Sequence, residues 1–185
     1  TWNQESFVLR SDANFSIDEK NLETALKQAR LDTEKMFGIS TARKVRVSVY
    51  QRSDYIKFCE APDWSQVCSI GGKIRLRNDA ARGRLSDLEV MLKYAFGLWI
   101  VDVETRGLAP AWFAEGFAHQ LAFPEGPPNG GRTELKKDLA SGHLPNYEQL
   151  AGPFRYLPDM RDAAMAMAQS QSGFRFLIEK EGFSV

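Results

Sequence analysis

The first eighty residues alternate between the hydrophobic period of strands and that of helices. Val45, Val47 and Val49 alternate with other residues, which is typical of a half-buried strand. Apolar residues spaced three and four apart between positions 22 and 36, behind a capping-box pattern at residues 16–19, predict a long amphipathic helix that ends at Gly38. Gly71-Gly72 predicts a hairpin. The predicted strands are residues 5–9, 45–49, 67–70 and 73–77.

The second half of the chain carries the pattern of helices. A capping box at residues 86–89 leads into residues 90–103, which are apolar on nearly every face and therefore predict a buried helix. Further helices are expected at residues 111–123, 132–140, 159–171 and 173–180, with a mobile loop at 124–131 and a turn near 147–150.

These elements predict a single α+β domain over residues 1–185. Its sheet-rich part, about residues 1–80, should hold a small mixed or antiparallel sheet and one helix. The part from about residue 86 to 185 should be helical.

The composition narrows the functional classes. The 185 residues are 43% hydrophobic, and 24 Lys and Arg balance 24 Asp and Glu, as in an ordinary globular domain. Residues 43–84 hold ten basic against four acidic residues, but the whole chain is neutral, which favours a charged sheet edge or an acidic partner over nucleic acid. No apolar run approaches the roughly 18 residues of a membrane span, so we expect no membrane insertion by this segment, although a full-length protein could be anchored elsewhere.

Two cysteines, Cys59 and Cys68, lie nine positions apart in what is predicted to be a loop between strands. A bridge there would stabilise the fold by about 2 to 3 kcal/mol, and it predicts an extracytoplasmic location, periplasmic or secreted. The alternative is two unpaired thiols in a reducing cytosol. Trp64, between the cysteines, is expected either to contact a partner or to cover a small core.

The segment 109–118 reads APAWFAEGFA. It resembles the P-x-W-x-x-E-G-x-A element of gluzincin zinc metallopeptidases, in particular the peptidase-MA-like family. The family's later elements follow in order: L-P-x-x-x-x-L at residues 144–150, A-x-S-x-S at 168–172, and an F-L segment ending in glycine at 176–182. The resemblance covers nearly the whole chain and implies the thermolysin-like catalytic-domain architecture.

In active relatives the buried helix carries H-E-x-x-H, whose histidines ligate zinc while the glutamate acts as general base. The resemblance places this pattern on residues 93–97, with Lys93 and Gly97 at the histidine positions and Tyr94 at the glutamate. Only the third ligand, Glu115, is retained, and Met167 lies where relatives often have a tyrosine. The resemblance therefore implies vestigial positions, with no catalytic residue, no metal and no cofactor.

The prediction is a catalytically inactive, metallopeptidase-like domain of an exported protein. It would act as a binding or scaffolding module for a peptide or protein partner in the former substrate groove. In relatives an edge strand borders that groove and pairs with extended peptides. The predicted groove residues are Lys73, Arg75, Arg77, Trp112, Glu115 and His119.

Other interpretations stay open. A hydrolase with non-zinc or variant chemistry could use Glu115 as acid or base, with Tyr94 or His119 assisting. In a purely structural module, side chains would fill the groove. Lys93 could take the vacated metal position and pair with Glu115, or both could point to solvent. Glu115 and His119, four residues apart, could bind a different metal. His143 is expected in a solvated loop and would not be a further ligand.

Overall fold

The computed structural model describes residues 2–3, 7–11, 18–80, 84–126, 131–142, 149–154, 157 and 160–182. The strands in these ranges are β1 (Trp2–Asn3), β2 (Phe7–Ser11), β3 (Val45–Tyr50), β4 (Val67–Ser69) and β5 (Lys73–Arg77). The α-helices are α1 (Glu19–Phe37), α2 (Arg52–Cys59), α3 (Leu85–Glu104), α4 (Ala111–Ala122), α5 (Gly131–Ser141) and α6 (Met160–Glu181), with a 3-10 turn at Gln149–Ala151. The predicted α+β class is confirmed.

The five strands form one mixed sheet in the order β1-β2-β3-β5-β4. β2, β3 and β5 are parallel neighbours, whereas β1 and β4 pair antiparallel with β2 and β5. The predicted hairpin is present, with Gly71 and Gly72 both at positive φ. β4 therefore lies at one edge of the sheet, and β5, the strand expected along the groove, is internal.

One apolar cluster joins the sheet to the helices. Val45, Val47 and Val49 of β3 are buried, as their alternation predicts, with Ile74 and Leu76 of β5. α3 is buried through the middle of the domain, as its composition predicts, and contributes Leu92, Phe96, Trp99 and Ile100 to the same cluster.

The helix starts differ from the predicted capping boxes. α1 begins after Asp18, whose carboxylate accepts the Asn21 N–H at 3.0 Å, rather than after Ser16. α3 begins after Arg84, with Ser86 already inside its first turn, and no side chain caps it. The end of α1 is as predicted, because Gly38 takes the left-handed conformation at the C-cap.

Two further predictions of secondary structure are wrong. α2 occupies part of the stretch expected to be loop, and it buries only Tyr55 and Cys59, too few for a clear helical period. The two closing helices are one, α6, because Ser170 and Gln171, at the predicted break, are fully buried. The predicted turn is present in part at Gln149–Ala151; residues 143–148 and loop residues 127–130 lie outside the described part.

Candidate functional site

Two glycines let α3, α4 and α6 approach closely. A Cβ on Gly97 of α3 would lie 2.7 Å from the Ala118 Cα of α4. A Cβ on Gly116 of α4 would overlap the Ser170 carbonyl oxygen of α6 and lie 2.8 Å from the Phe174 Cβ. The E-G-x-A part of the motif is thus explained by helix packing at Gly116 and Ala118.

Glu115 precedes this contact and lines an open cleft of about 360 Å³. Edge strand β4, helices α3 and α4, the 151–154 segment and Met167 of α6 surround the cleft. Two carboxylates are in its described lining, Glu115 and Asp102, and none of the described lining residues is a lysine or arginine. Its other polar lining residues include Ser65, Ser69, Tyr94 and Thr105.

The Tyr94 hydroxyl donates a hydrogen bond of 2.7 Å to Glu115 Oε2. Burial raises the pKa of Glu115 to about 7 because it disfavours the charged carboxylate, and the bond from Tyr94 only partly opposes that shift. Burial, with the neighbouring Glu115 charge, also raises the pKa of Tyr94 well above its usual range. At neutral pH Tyr94 is therefore a neutral donor, and Glu115 is present in both protonation states.

Lys93 does not face Glu115. Its ammonium lies 2.7 Å from Asp32 of α1, so the hypothesis of a Lys93–Glu115 pair is contradicted. Lys93 and the buried Gly97 are outside the cleft lining, whereas Tyr94 and Leu98, also four residues apart, are within it. The face of α3 opposite Glu115 is therefore shifted by one residue from the predicted 93–97 register.

The residues opposite Glu115 do not suit zinc. Tyr94 offers a hydroxyl engaged with Glu115, Leu98 has no donor atom, and zinc sites in proteins use Cys, His and carboxylate ligands. Met167 does line the cleft, but a thioether cannot donate a hydrogen bond to an oxyanion. Among the described residues no group of three or more His, Cys, Asp or Glu is placed to hold a metal ion.

His119 lies one turn beyond Glu115 on α4 and is 9% exposed. Its ring packs edge-on against Tyr94, with centroids 5.1 Å apart, and stacks on Phe123 at 5.7 Å. Burial lowers the pKa of His119 to about 4, so the imidazole is neutral, and its Nδ1 has no hydrogen-bond partner in the described part of the chain. The ring lines a side pocket of about 230 Å³ that shares Tyr94 and Met167 with the cleft. His143 lies outside the described residues.

Four predicted groove residues do not line the cleft. The Arg75 guanidinium donates to the Ile70 carbonyl at 2.7 Å, and Lys73 lies beside it on internal strand β5. Arg77 is 7% exposed, pairs with Asp79 and donates to the carbonyls of Asp63 and Ser65, which holds the loop before β4.

Trp112 packs against the cluster around Leu150 and Phe154. Of the predicted groove set, Glu115 lines the cleft and His119 the side pocket.

Edge strand β4, absent from the predicted groove, borders the cleft with all three of its residues. Hydrogen bonds to β5 are made by the Gln66 carbonyl, which accepts the Arg77 N–H, and by the Ile70 N–H, which donates to the Lys73 carbonyl. In an antiparallel pair every second residue bonds to the neighbouring strand, so the N–H and carbonyl groups of Val67 and Ser69 point away from β5. Within the described residues, both of these N–H groups and the Ser69 carbonyl lack partners. The Val67 carbonyl has only a 3.4 Å contact from the Ser65 hydroxyl.

Two connections hold β4 in place. A disulfide joins Cys68 of β4 to Cys59 at the end of α2, with Cα atoms 6.5 Å apart, which confirms the predicted bridge. The hairpin turn is held to α3, where the Trp99 indole donates to Gly72 O at 3.1 Å and Asp102 accepts the Gly72 N–H at 3.2 Å. The edge of β4 is thus a fixed wall of the cleft.

Two other residues of the cleft, Leu98 and Asp102, lay outside the sequence-based prediction. Leu98 and Asp102 belong to an all-round apolar helix whose cleft face has no sequence signal. Trp64, which was expected to contact a partner or to cover a small core, lines both the cleft and the side pocket, and its buried indole nitrogen has no hydrogen-bond partner among the described residues.

None of the described helices is long and apolar enough to cross a bilayer. No protein-family model, curated protein or solved structure matches the chain.

Proposed function

We propose that this protein binds an extended polypeptide segment, which adds as a further strand to β4 and lies along the cleft. The observation that carries the proposal is the open edge of β4, where the N–H groups of Val67 and Ser69 have no partner among the described residues and border a cleft of about 360 Å³. Strand addition uses such groups for affinity and neighbouring pockets for selectivity. The open cleft argues against a purely structural module with a filled groove.

The proposed frame is that of a gluzincin peptidase that has lost its metal. Glu115, in the E-G element of α4, faces positions four residues apart on a buried helix beside an edge strand, as the family resemblance implies. Tyr94 and Leu98 occupy those facing positions. Their side chains support a binding module rather than a zinc peptidase.

We further propose that the protein works outside the cytoplasm. The Cys59–Cys68 disulfide supports this, because such bridges persist mainly in oxidising compartments. The partner would then be another exported protein or peptide.

The test uses linear peptides selected on the purified protein from a displayed random library. Val67→Pro removes the outward N–H of β4 while leaving the β4–β5 hydrogen bonds, which use neighbouring residues, in place. Loss of one backbone hydrogen bond of about 1 kcal/mol should weaken binding of a selected peptide roughly fivefold in a titration by fluorescence anisotropy. Val67→Thr, which keeps the N–H and a β-branched side chain, is the matched control.

Equal affinity for the proline and threonine variants, both still folded by circular dichroism, would reject strand addition at β4. Failure to select any peptide would reject the proposed function itself. Amide exchange offers a second readout, since the Val67 and Ser69 amides should become protected when peptide binds.

A second candidate is a hydrolase in which Glu115 transfers a proton. The observation in its favour is the Glu115 pKa of about 7, suited to acid–base chemistry near neutral pH. Asp102, the other carboxylate of the described cleft lining, lies eight residues from Tyr94, about 12 Å along α3, and accepts the Gly72 N–H. Turnover of ester or peptide substrates that is lost in Glu115→Gln would favour this candidate over binding alone.

A further inference from the structure

The cleft carries acidic groups without a matching cation. Glu115 and Asp102 line it, and its described lining contains no lysine or arginine. The chain as a whole is neutral, with 24 basic and 24 acidic side chains, so the imbalance is local to the cleft. A positive ligand group would therefore find complementary charge there.

Among the described residues, Glu115 also lacks a cationic partner. Its hydrogen bond from Tyr94 uses one of roughly four acceptor sites on a carboxylate. The neighbouring cation, Lys93, is engaged by Asp32 on the other side of α3. Partial burial of a carboxylate is unfavourable when no cation accompanies it, and it raises the pKa of Glu115.

The other described groups around Glu115 do not supply a positive charge at neutral pH. α3 presents the neutral Tyr94 hydroxyl, and His119 of α4 is kept neutral by burial. α6 contributes Met167 to the cleft, and β4 with its preceding loop contributes no titrating side chain, since Cys68 is in the disulfide. Asp102 is acidic and two helical turns from Tyr94.

Building on the proposed strand addition, we infer that the bound polypeptide places a lysine or arginine side chain in the cleft, with its cationic end on the Glu115 carboxylate. The walls beside Glu115 include Leu98, Ala114 and Met167, against which the aliphatic stem of such a side chain can pack. The cation would occupy the space in front of Glu115 and supply the positive charge that the described cleft lining does not contain.

The test compares three N-acetylated, C-amidated peptides of alternating threonine and valine that differ at one central position. That position is lysine, norleucine, which has a similar stem without charge, or glutamate. Acetylation removes the terminal amine as an alternative cation. Calorimetry at about pH 8 should give the lysine peptide an affinity at least about tenfold above the norleucine peptide, with the glutamate peptide weakest.

Glu115→Gln should abolish the preference, so that the lysine peptide binds no more tightly than the norleucine peptide. Glu104→Gln, an equal change of charge at an exposed position of α3 outside the cleft lining, is the matched control and should keep the preference. The preference should also shrink at about pH 5.5, where Glu115 is protonated in the free protein.

The outcomes separate this inference from the proposed function. Equal binding of the lysine and norleucine peptides, with both weakened by Val67→Pro, would overturn the inference and keep strand addition. A lysine preference that Glu115→Gln removes but Val67→Pro leaves untouched would support the cation site and overturn strand addition. Absence of binding by all three peptides, together with failure of the library selection, would overturn both.

Discussion

Two ionisable residues one turn apart on α4 have pKa values displaced in opposite directions by the same cause. Burial disfavours the charged form of each, which raises the pKa of Glu115 from 4.5 to about 7 and lowers that of His119 from 6.5 to about 4. Between pH 4.5 and 6.5 the folded state holds a proton on Glu115 that the unfolded state lacks, and the unfolded state holds one on His119 that the folded state lacks. Their effects on stability therefore largely cancel in that window.

Substituting either residue should reveal how the other changes the free energy of unfolding with pH. Relative to wild type, Glu115→Gln should gain stability as pH rises from about 4.5 to 7, because it escapes the cost of ionising a buried carboxylate. His119→Gln should gain relative stability as pH falls from about 6.5 to 4, because the unfolded state no longer binds an extra proton. Each difference in unfolding free energy should change by up to about 1.4 kcal/mol per pH unit in urea titrations. Difference curves that stay flat with pH would contradict these shifts.

At the scale of elements, two glycines allow α4 to pack closely against its neighbouring helices. Its contact with α3 uses Gly97, and its contact with α6 uses Gly116. Because interiors are close-packed, an added methyl group at either crossing must move a whole helix. Such a movement would also shift Glu115, which precedes Gly116 in the chain.

Gly116→Ala should therefore destabilise the fold by about 3 kcal/mol, since the new Cβ overlaps the Ser170 carbonyl oxygen, which is backbone. Gly152→Ala is the matched control, because a Cβ there meets nothing within 4 Å, and we expect a change within about 0.5 kcal/mol. Urea unfolding followed by circular dichroism measures both. Equal stability of the two variants would show that α4 and α6 are not closely packed at this crossing.

At the scale of the whole molecule, the arrangement of cleft, buried helix and edge strand can be tested by introducing a metal site. Histidines at positions 94 and 98 would project from α3 into the cleft with Glu115 opposite, giving the two imidazoles and one carboxylate that suit zinc. Zinc binding by such a variant would depend on how the backbones of α3 and α4 are placed around the cleft, because the present side chains at positions 94 and 98 are replaced.

The double variant Tyr94→His with Leu98→His should bind one zinc ion per chain, measured by calorimetry and by metal analysis after gel filtration. Adding Glu115→Gln should remove the third ligand and abolish stoichiometric binding. Absence of zinc from a folded double variant would contradict the proposed peptidase-like frame. Zinc retained by the triple variant would mean that the ion is held elsewhere.

Much of the fold follows from local pattern in the sequence. The valine alternation of β3, the Gly71-Gly72 turn and the end of α1 at Gly38 depend on short-range rules of burial and backbone conformation. The disulfide was predictable because the chain has only two cysteines at a bridgeable spacing. Glu115 could be singled out because it lies within a motif ten residues long.

Tertiary structure decided what local pattern does not encode. A helix apolar on nearly every face has no stripe to show its orientation, so only packing determined that Tyr94 and Leu98, rather than Lys93 and Gly97, face Glu115. Strand order is a long-range property, and it made β4 rather than β5 the edge beside the cleft. Burial of Ser170 and Gln171 against α4 kept α6 continuous through a polar stretch that looks like a break, because contacts distant in sequence outweighed local propensity.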